Sequence, residues 1–318
     1  VYTYEKSFLA SEEWKNQDVV LEFEGIYGTA RVWINGALAT VNRNGYMGFS
    51  VDLKPWICYG QENLIKIDVD NSNQPNSRWY TGSGIYRDVN LWTGKGVYIP
   101  HDEMKITTLS VNDDVAVVDV CAKLKNTKEC GMEAKCYFEL IFEGKTVVTE
   151  KQNIVFYSEK TETVRVQLPV KCPKKWSTDH PNLYQCRAKT YIGDEICDEY
   201  TVNFGIRTLA LDPVNGFQIN GETVNLRGTC IHHDNGVIGA ETFPEAEWYR
   251  CKRLKEAGFN AIRSSHHPMS RAMLDACDHL GMLVMDELTD MWNRGKNTYD
   301  FSDIFKEEAQ KWIHHMVD

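Results

Sequence analysis

The chain has 318 residues, of which 42% are hydrophobic and 25% charged, and its formal net charge is −10. That length holds two or three domains of about 100–150 residues, and the composition is that of a globular protein, not a disordered one. The acidic balance, with no Lys/Arg cluster, argues against a nucleic-acid partner, and no apolar run approaches the roughly 20 residues of a membrane-spanning helix.

From Val1 to Tyr98 the text reads as short strands, "VVLEFEG", "ARVWING" and "NLIKIDVDN", bounded by Gly, Asn and Asp. Ile65, Ile67 and Val69 alternate with Lys66 and Asp68, the period of a half-buried strand, and Asn35-Gly36 is a strong hairpin signal. Many short strands with turn signals predict a β-sandwich or jelly roll over 1–98. The opening "VYTYEKSFLA" shows no leader pattern, and lacking an initiator Met it says nothing about targeting.

A second β-rich region, 99–205, contains "VAVVDVCAKL", "AKCYFELIFEG", "ETVRVQLPV" and "YQCRAKTYIG" and has the size of an immunoglobulin-type sandwich. It holds no cluster of His, Asp or Glu and reads as a spacer. Ten cysteines, Cys130 among them, are scattered along the chain without a C-x-x-C. Cys186, Cys251 and Cys277 fall at apolar positions, so buried free thiols and a reducing, cytoplasmic setting are expected.

From 206 onward strand and helix alternate. A hairpin in "GFQINGETVNLRGTC" precedes a helix in "PEAEWYRCKRLKEAG", with Trp248, Cys251 and Leu254 at helical spacing and Gly258 at its end. "FNAIR" and "MLVMDE" read as apolar strands, separated by the helix "RAMLDACDHLG". A third helix follows in "SDIFKEEAQKWIHHM", with Ser302 as its N-cap. Such alternation means parallel strands joined by crossover helices. No G-x-G-x-x-G or P-loop follows a strand, and polar residues collect at the expected strand ends: Arg227 with His232–Asp234, Arg263 to His267, and Asp286–Glu287. These features favour a (β/α)₈ barrel with its site on that rim. A whole barrel takes about 250 residues, so 206–318 is expected to be the first part of one.

Three chemistries compete for the rim. His232, His266 and Asp286 offer metal ligands, but contiguous histidines on a strand point to opposite sides, so each pair gives one inward ligand. The metal reading is therefore the weaker one. A glycosidase needs two carboxylates about 5–5.5 Å apart for retention, or farther apart for inversion. Asp286 and Glu287 are strand neighbours and diverge, so they are not expected to be that pair. Hydrogen-bonded loop histidines are the plain alternative, weakened by the coincidence of three clusters on successive strand ends. In the first region, "NSNQPNSRWYTGSGIYRD" interleaves Trp79, Tyr80 and Tyr86 with amides. Such a loop suits a sugar face and equally suits a plug at the end of a sandwich.

With these residues in view, "GIRTLALDPVNGFQINGETVNLRGTCIHHDNG", "GFNAIRSSHHP" and "LGMLVMDE" resemble glycoside hydrolase family 2, and "VWINGALA" and "GSGIYRDVNLW" resemble its N-terminal sugar-binding domain. The resemblance spans the whole chain. It implies a jelly roll, an immunoglobulin-like sandwich and the start of a catalytic (β/α)₈ barrel, with no cofactor and a carbohydrate partner. "RWYTGSGIYRDV" with "DELTDMWNRGKN" looks most like bacterial β-galactosidases, with β-glucuronidase and β-mannosidase as alternatives, and a non-catalytic carbohydrate-binding protein as a reading of another class. The resemblance implies that His266, Arg263, His232 and Arg227 bind sugar hydroxyls and that Asp286 and Glu287 support the pocket; Trp79, from the composition of its loop, is the expected aromatic face. The family's acid/base follows an Asn in an "N-E" strand end. Residues 288–318 hold no such dipeptide, so both catalytic glutamates are expected beyond Asp318 and no turnover is expected of residues 1–318 alone. Arg78 departs from the pattern, standing where some family galactosidases carry an acidic residue. The oligomeric state stays open, a homo-oligomer of the full-length protein included.

Overall fold

The computed structural model describes residues 1–128, 131–157 and 160–317. Cys130 and Asp318, named above, lie outside them.

The first region is a sandwich of two antiparallel sheets. One runs Tyr2–Leu9, Glu62–Asp70, Thr29–Ile34, Ala37–Asn42 in spatial order, and the other Phe49–Asp52, Gln17–Phe23, Val89–Lys95. Ile67 and Val69 are buried and Ile65 packs beside them, so the alternation seen in the sequence is the pleat of the strand. Asn35 and Gly36 both take positive φ, 50° and 82°, which a two-residue hairpin turn between right-twisted strands requires. Phe23, Ile26, Ile34 and Leu53 fill the interior.

The second sandwich pairs Val115–Asn126 with Val97–Tyr98, Met104–Val111 and Thr161–Lys171, and faces it with a sheet ordered Lys145–Phe156, Met132–Phe142, Tyr184–Ile192, Glu195–Phe204. Phe138, Phe156, Leu124, Leu140 and Leu168 are closed off in its interior. Cys136 and Cys186 join this core, where burial pushes both thiols up to about 12, so they stay protonated packing groups. All nine cysteines among the described residues are free.

Beyond Ile206 a small antiparallel hairpin, Leu209–Asp212 with Gly216–Ile219, precedes three parallel strands in chain order: Gly228–Ile231, Ala261–Ser264 and Leu283–Met285. Helix α1, Pro244–Glu256, connects the first two strands, and α2, Arg271–Leu280, the second and third. In α2 the expected face is found, with Met273 and Cys277 buried. The Ser270 hydroxyl accepts from Met273 N at the N-terminus, and Gly281 closes the C-terminus at φ 71°.

Two expectations fail locally. Trp248 of α1 is 41% exposed, and the buried residue beside it is Glu247, which accepts a 2.8 Å bond from Asn235 Nδ2 and pairs with Arg250. A hydrogen-bonded carboxylate thus takes the inward position that the apolar spacing gave to tryptophan. Ser302 does not cap α3, Phe305–Val317: it lies in a short 3₁₀ turn, and Asp300 caps that turn by accepting from Ser302 N at 3.0 Å.

The three regions are pinned where they meet. Arg271 at the start of α2 reaches Glu22 at 2.9 Å and Glu24 at 3.5 Å in the first sandwich, and Asp102 in the connector to the second. His101 lies 3.2 Å from Asp102 and 3.5 Å from Glu22, and its ring stacks on Trp92 at 4.3 Å. Burial works against its charge, but the two carboxylates outweigh it and push the imidazole up to about 9. A group raised in the folded state gives its full stabilisation below its unfolded value near 6.5 and loses it as pH rises through 9. Urea unfolding is therefore expected to weaken between pH 6.5 and 9.5 by on the order of 2–3 kcal/mol. His101→Gln should flatten that slope, and an unchanged slope in the variant would remove His101 as its source.

Candidate carbohydrate site

The strand ends bring together four of the residues singled out in the sequence. Arg263, on the second strand, faces the third, and its Nε donates to Glu287 Oε1 at 2.5 Å. His266 Nδ1 lies 3.1 Å from Glu287 Oε2 and 3.4 Å from Arg263 Nη2. The shorter contact sets Nδ1–H toward the carboxylate, which leaves Nε2 as the nitrogen able to accept a hydroxyl proton. His232, at the end of the first strand, stands edge-on to His266 with ring centroids 5.6 Å apart. Its own Nδ1 is buried without a protein partner. Burial, helped by the neighbouring His266, lowers its pKa, so it is a neutral donor–acceptor at neutral pH.

Trp79 arrives from the first sandwich. Its ring lies 5.0 Å from that of His266 and 5.7 Å from that of His232, and its Nε1–H donates to Tyr46 Oη at 3.2 Å. The preceding Arg78 makes a forked pair with Asp290, Nη2 to Oδ2 at 2.7 Å and Nε to Oδ2 at 3.1 Å. Lys296 Nζ adds 2.6 Å to Asp290 Oδ1. The arginine that departs from the family pattern is thus held by a carboxylate of the barrel, and the loop carrying Trp79 is tied to the barrel rim.

The contiguous histidines divide by side, although they lie in the turns just past the strand ends at Ile231 and Ser264. His232 and His266 are partly exposed and face Trp79, whereas His233 and His267 are buried, at 3% and 0% exposure, against the first sandwich. Among the described residues, the one set of His, Cys, Asp and Glu ligand atoms close enough for a metal is Glu22, His101 and Asp102, which does not include His232, His266 or Asp286.

Of the remaining expected site residues, Arg227 lies elsewhere and Asp286 supports the pocket from behind. Arg227 precedes Gly228 and so stands at the foot of the first strand, at the opposite end from His232. It is exposed, and its Nε donates to Gly258 O at 2.8 Å. Asp286 turns away from Glu287's side of its strand: its Oδ1 accepts from Met269 N and Glu287 N, each at 3.2 Å, and burial raises its pKa. It braces the backbone after His267 and Pro268 and does not join the pocket.

The sequence also concealed several contributors. Arg250 of α1 donates to the carbonyls of His232, at 3.0 Å, and of Asp234, holding the first strand's end. The i,i+3 pair Glu247–Arg250 in α1 is the signal that marked it. Tyr46, Arg87 and Asp290 had no local signal, because their partners come from another domain.

Two β-sandwiches in tandem, followed by parallel strand–helix units with imidazole, guanidinium, carboxylate and indole groups at the strand ends, define a multidomain carbohydrate-active architecture. Models of the Glycosyl hydrolases family 2 sugar binding domain, of Glycosyl hydrolases family 2, and of the family 2 TIM barrel domain match residues 1–95, 97–207 and 213–318. The chain belongs to glycoside hydrolase family 2. It is 36% identical over 315 residues to a β-galactosidase of Bacteroides ovatus, covering 99% of this chain and 37% of that protein. To a β-glucuronidase of Bacteroides fragilis it is 26% identical, covering 99% and 47%. A crystal structure of a family 2 member from Bacteroides cellulosilyticus superposes with a TM-score of 0.96 at 37% identity, over 99% of this chain and 41% of that one. The chain therefore spans less than half the length of each of these relatives.

Proposed function

We propose that these residues form the substrate-holding part of a retaining exo-β-glycosidase that removes terminal β-galactosyl groups. The observation that carries this reading is the Arg263–Glu287–His266 constellation, with His232 and Trp79 beside it, at the C-terminal ends of parallel barrel strands. A neutral imidazole and a fixed guanidinium present hydroxyl-binding groups, while an indole offers an apolar face to the C–H side of a pyranose. Bonds to sugar hydroxyls that strengthen as positive charge develops at the anomeric carbon raise the rate, while two carboxylates elsewhere in the barrel perform the displacement.

Charge supports a neutral sugar over a uronate. Arg263 is paired with Glu287, and Arg78 and Lys296 are both paired with Asp290, so each of these rim cations is already satisfied by a protein carboxylate. A free-standing sugar site on the first domain finds less support, since Trp79 packs on barrel histidines. The test is a panel of aryl β-galactoside, β-glucuronide and β-mannoside given to the gene product that carries these residues. The galactoside is expected to show the highest kcat/KM, with the product released as the β-anomer. A tenfold preference for the glucuronide or mannoside would overturn the assignment.

A further inference from the structure

The segment that carries His266 is held from two sides. Its own barrel fixes the ends: Ser265 N donates to Ile231 O at 2.9 Å, and Met269 N donates to Asp286 Oδ1 at 3.2 Å. Between those ends, the contacts to His267 and Pro268 come largely from the first domain. Tyr46 lies flat on His267, with centroids 3.9 Å apart and planes 3° from parallel. Arg87 Nη2 donates to Pro268 O at 2.9 Å, and its Nη1 donates to Tyr46 O at 3.2 Å. Tyr46, Arg87 and His267 are 5%, 7% and 0% exposed, so these contacts are closed to water.

The hydrogen-bond pattern of this seam is internally consistent. His267 Nδ1–H donates to Pro268 O at 3.2 Å, so its Nε2 accepts from His233 Nδ1–H, also at 3.2 Å. Burial, reinforced by Arg87, holds His233 down to about 3 and His267 well below its ordinary value, so both rings are neutral at any working pH. Arg87 is then the fixed charge of the seam, and one end of its guanidinium is bonded to the carbonyl two residues after His266.

We propose that Arg87 and Tyr46 of the jelly roll are positioning residues of the sugar site: by holding Pro268 O and the His267 ring, they fix the backbone that presents His266 to the pocket. This rests on the reading of His266 as a sugar-binding group. Arg87 acts through the strand end alone, while Tyr46 also accepts the Nε1–H of Trp79 at 3.2 Å. A pocket group displaced by about 1 Å is enough to cost about 100-fold in rate, so a loosened 265–268 segment reads out as lost turnover.

The test is a double-mutant cycle on the glycosidase carrying these residues, with Arg87→Lys and His266→Ala as the single changes. Each single variant is expected to lower kcat/KM at least tenfold, and the double variant to fall within threefold of His266→Ala alone. Additive losses would show that Arg87 acts on stability only and would overturn the proposal. A second measurement needs no turnover: in protein labelled with ¹³C/¹⁵N-histidine, Arg87→Lys is expected to move the imidazole resonances of His266 and His267 and leave that of His279 in place. Unmoved His266 signals would refute the positioning role. If the wild type cleaves no β-glycoside, the functional reading fails, and the imidazole spectra alone decide the positioning. Should Arg87→Lys not fold, Tyr46→Leu, which removes the ring stacked on His267, replaces it with the same expected outcomes.

Discussion

Glu287→Gln is expected to lower kcat/KM for the proposed aryl β-galactoside substrate about 100-fold and to leave the unfolding midpoint nearly unchanged. The carboxylate is the shared acceptor of the pocket, taking Arg263 Nε on one oxygen and His266 Nδ1–H on the other. Glutamine keeps the volume and one oxygen, but it replaces the second oxygen with an amide donor. That donor faces His266 Nδ1, which must then accept, so the proton moves to Nε2 and the nitrogen offered to the sugar changes from acceptor to donor. Arg263 loses its counter-charge at the same time, and a misplaced or mis-protonated hydroxyl-binding group costs on the order of 10² in rate. The side chain is 23% exposed and lies at a pocket edge, so the fold does not depend on it. Steady-state kinetics and thermal unfolding of the variant check both halves. A loss below threefold would remove Glu287 from the pocket.

Trp176→Ala is expected to destabilise the protein by about 3–5 kcal/mol, the range for deleting a large buried aromatic. This tryptophan is 1% exposed and joins the immunoglobulin-like domain to the barrel. Its Nε1–H donates to Asp278 O at the end of α2, at 2.9 Å. Its backbone N donates to Ile206 O, and its carbonyl accepts from Asn220 Nδ2 at 3.0 Å. The Arg207 guanidinium lies over the ring at 4.4 Å, and a Cβ placed on Gly205 would come within 2.7 Å of the tryptophan's own Cβ, so the connector passes tightly around the indole. Removing the indole opens a cavity at the domain boundary, leaves Asp278 O without its donor and uncovers the Arg207 guanidinium. Trp176→Phe keeps most of the ring and loses the indole bond, and it is expected to cost about 1 kcal/mol beyond its smaller volume. Urea unfolding of both variants checks the ranking, and an alanine variant within 1 kcal/mol of wild type would show that the boundary repacks freely.

What the sequence made legible was local and periodic. The Ile65–Ile67–Val69 alternation, the Asn35-Gly36 turn, the apolar face and glycine end of α2, and the parallel order of the barrel strands all follow from spacing over a few residues. His266 and His267 do part to opposite sides as expected, but from the turn after Ser264 and not from the strand itself. The errors came from boundaries. Arg227 was grouped with His232 because both flank one short strand, and only the strand's start at Gly228 shows that they sit at opposite ends. Asp286, expected to support the pocket, does so from behind it, through the backbone N–H of Met269. Tyr46, Arg87 and Asp290 stayed hidden for a different reason: Arg87 meets Pro268 across 181 residues and Arg78 meets Asp290 across 212, contacts fixed by how domains dock and not by any nearby pattern.

The dipeptides His232-His233 and His266-His267, each in the turn after a barrel strand, serve two masters with a single backbone. The jelly roll and the barrel are consequently not interchangeable parts. A chimera that exchanges the N-terminal domain for that of a distant relative, but omits partners for the hidden imidazoles, inherits an intact list of pocket residues and a poorly seated pocket. Swaps made to change substrate preference would have to carry the Tyr46 and Arg87 positions along with the barrel they serve.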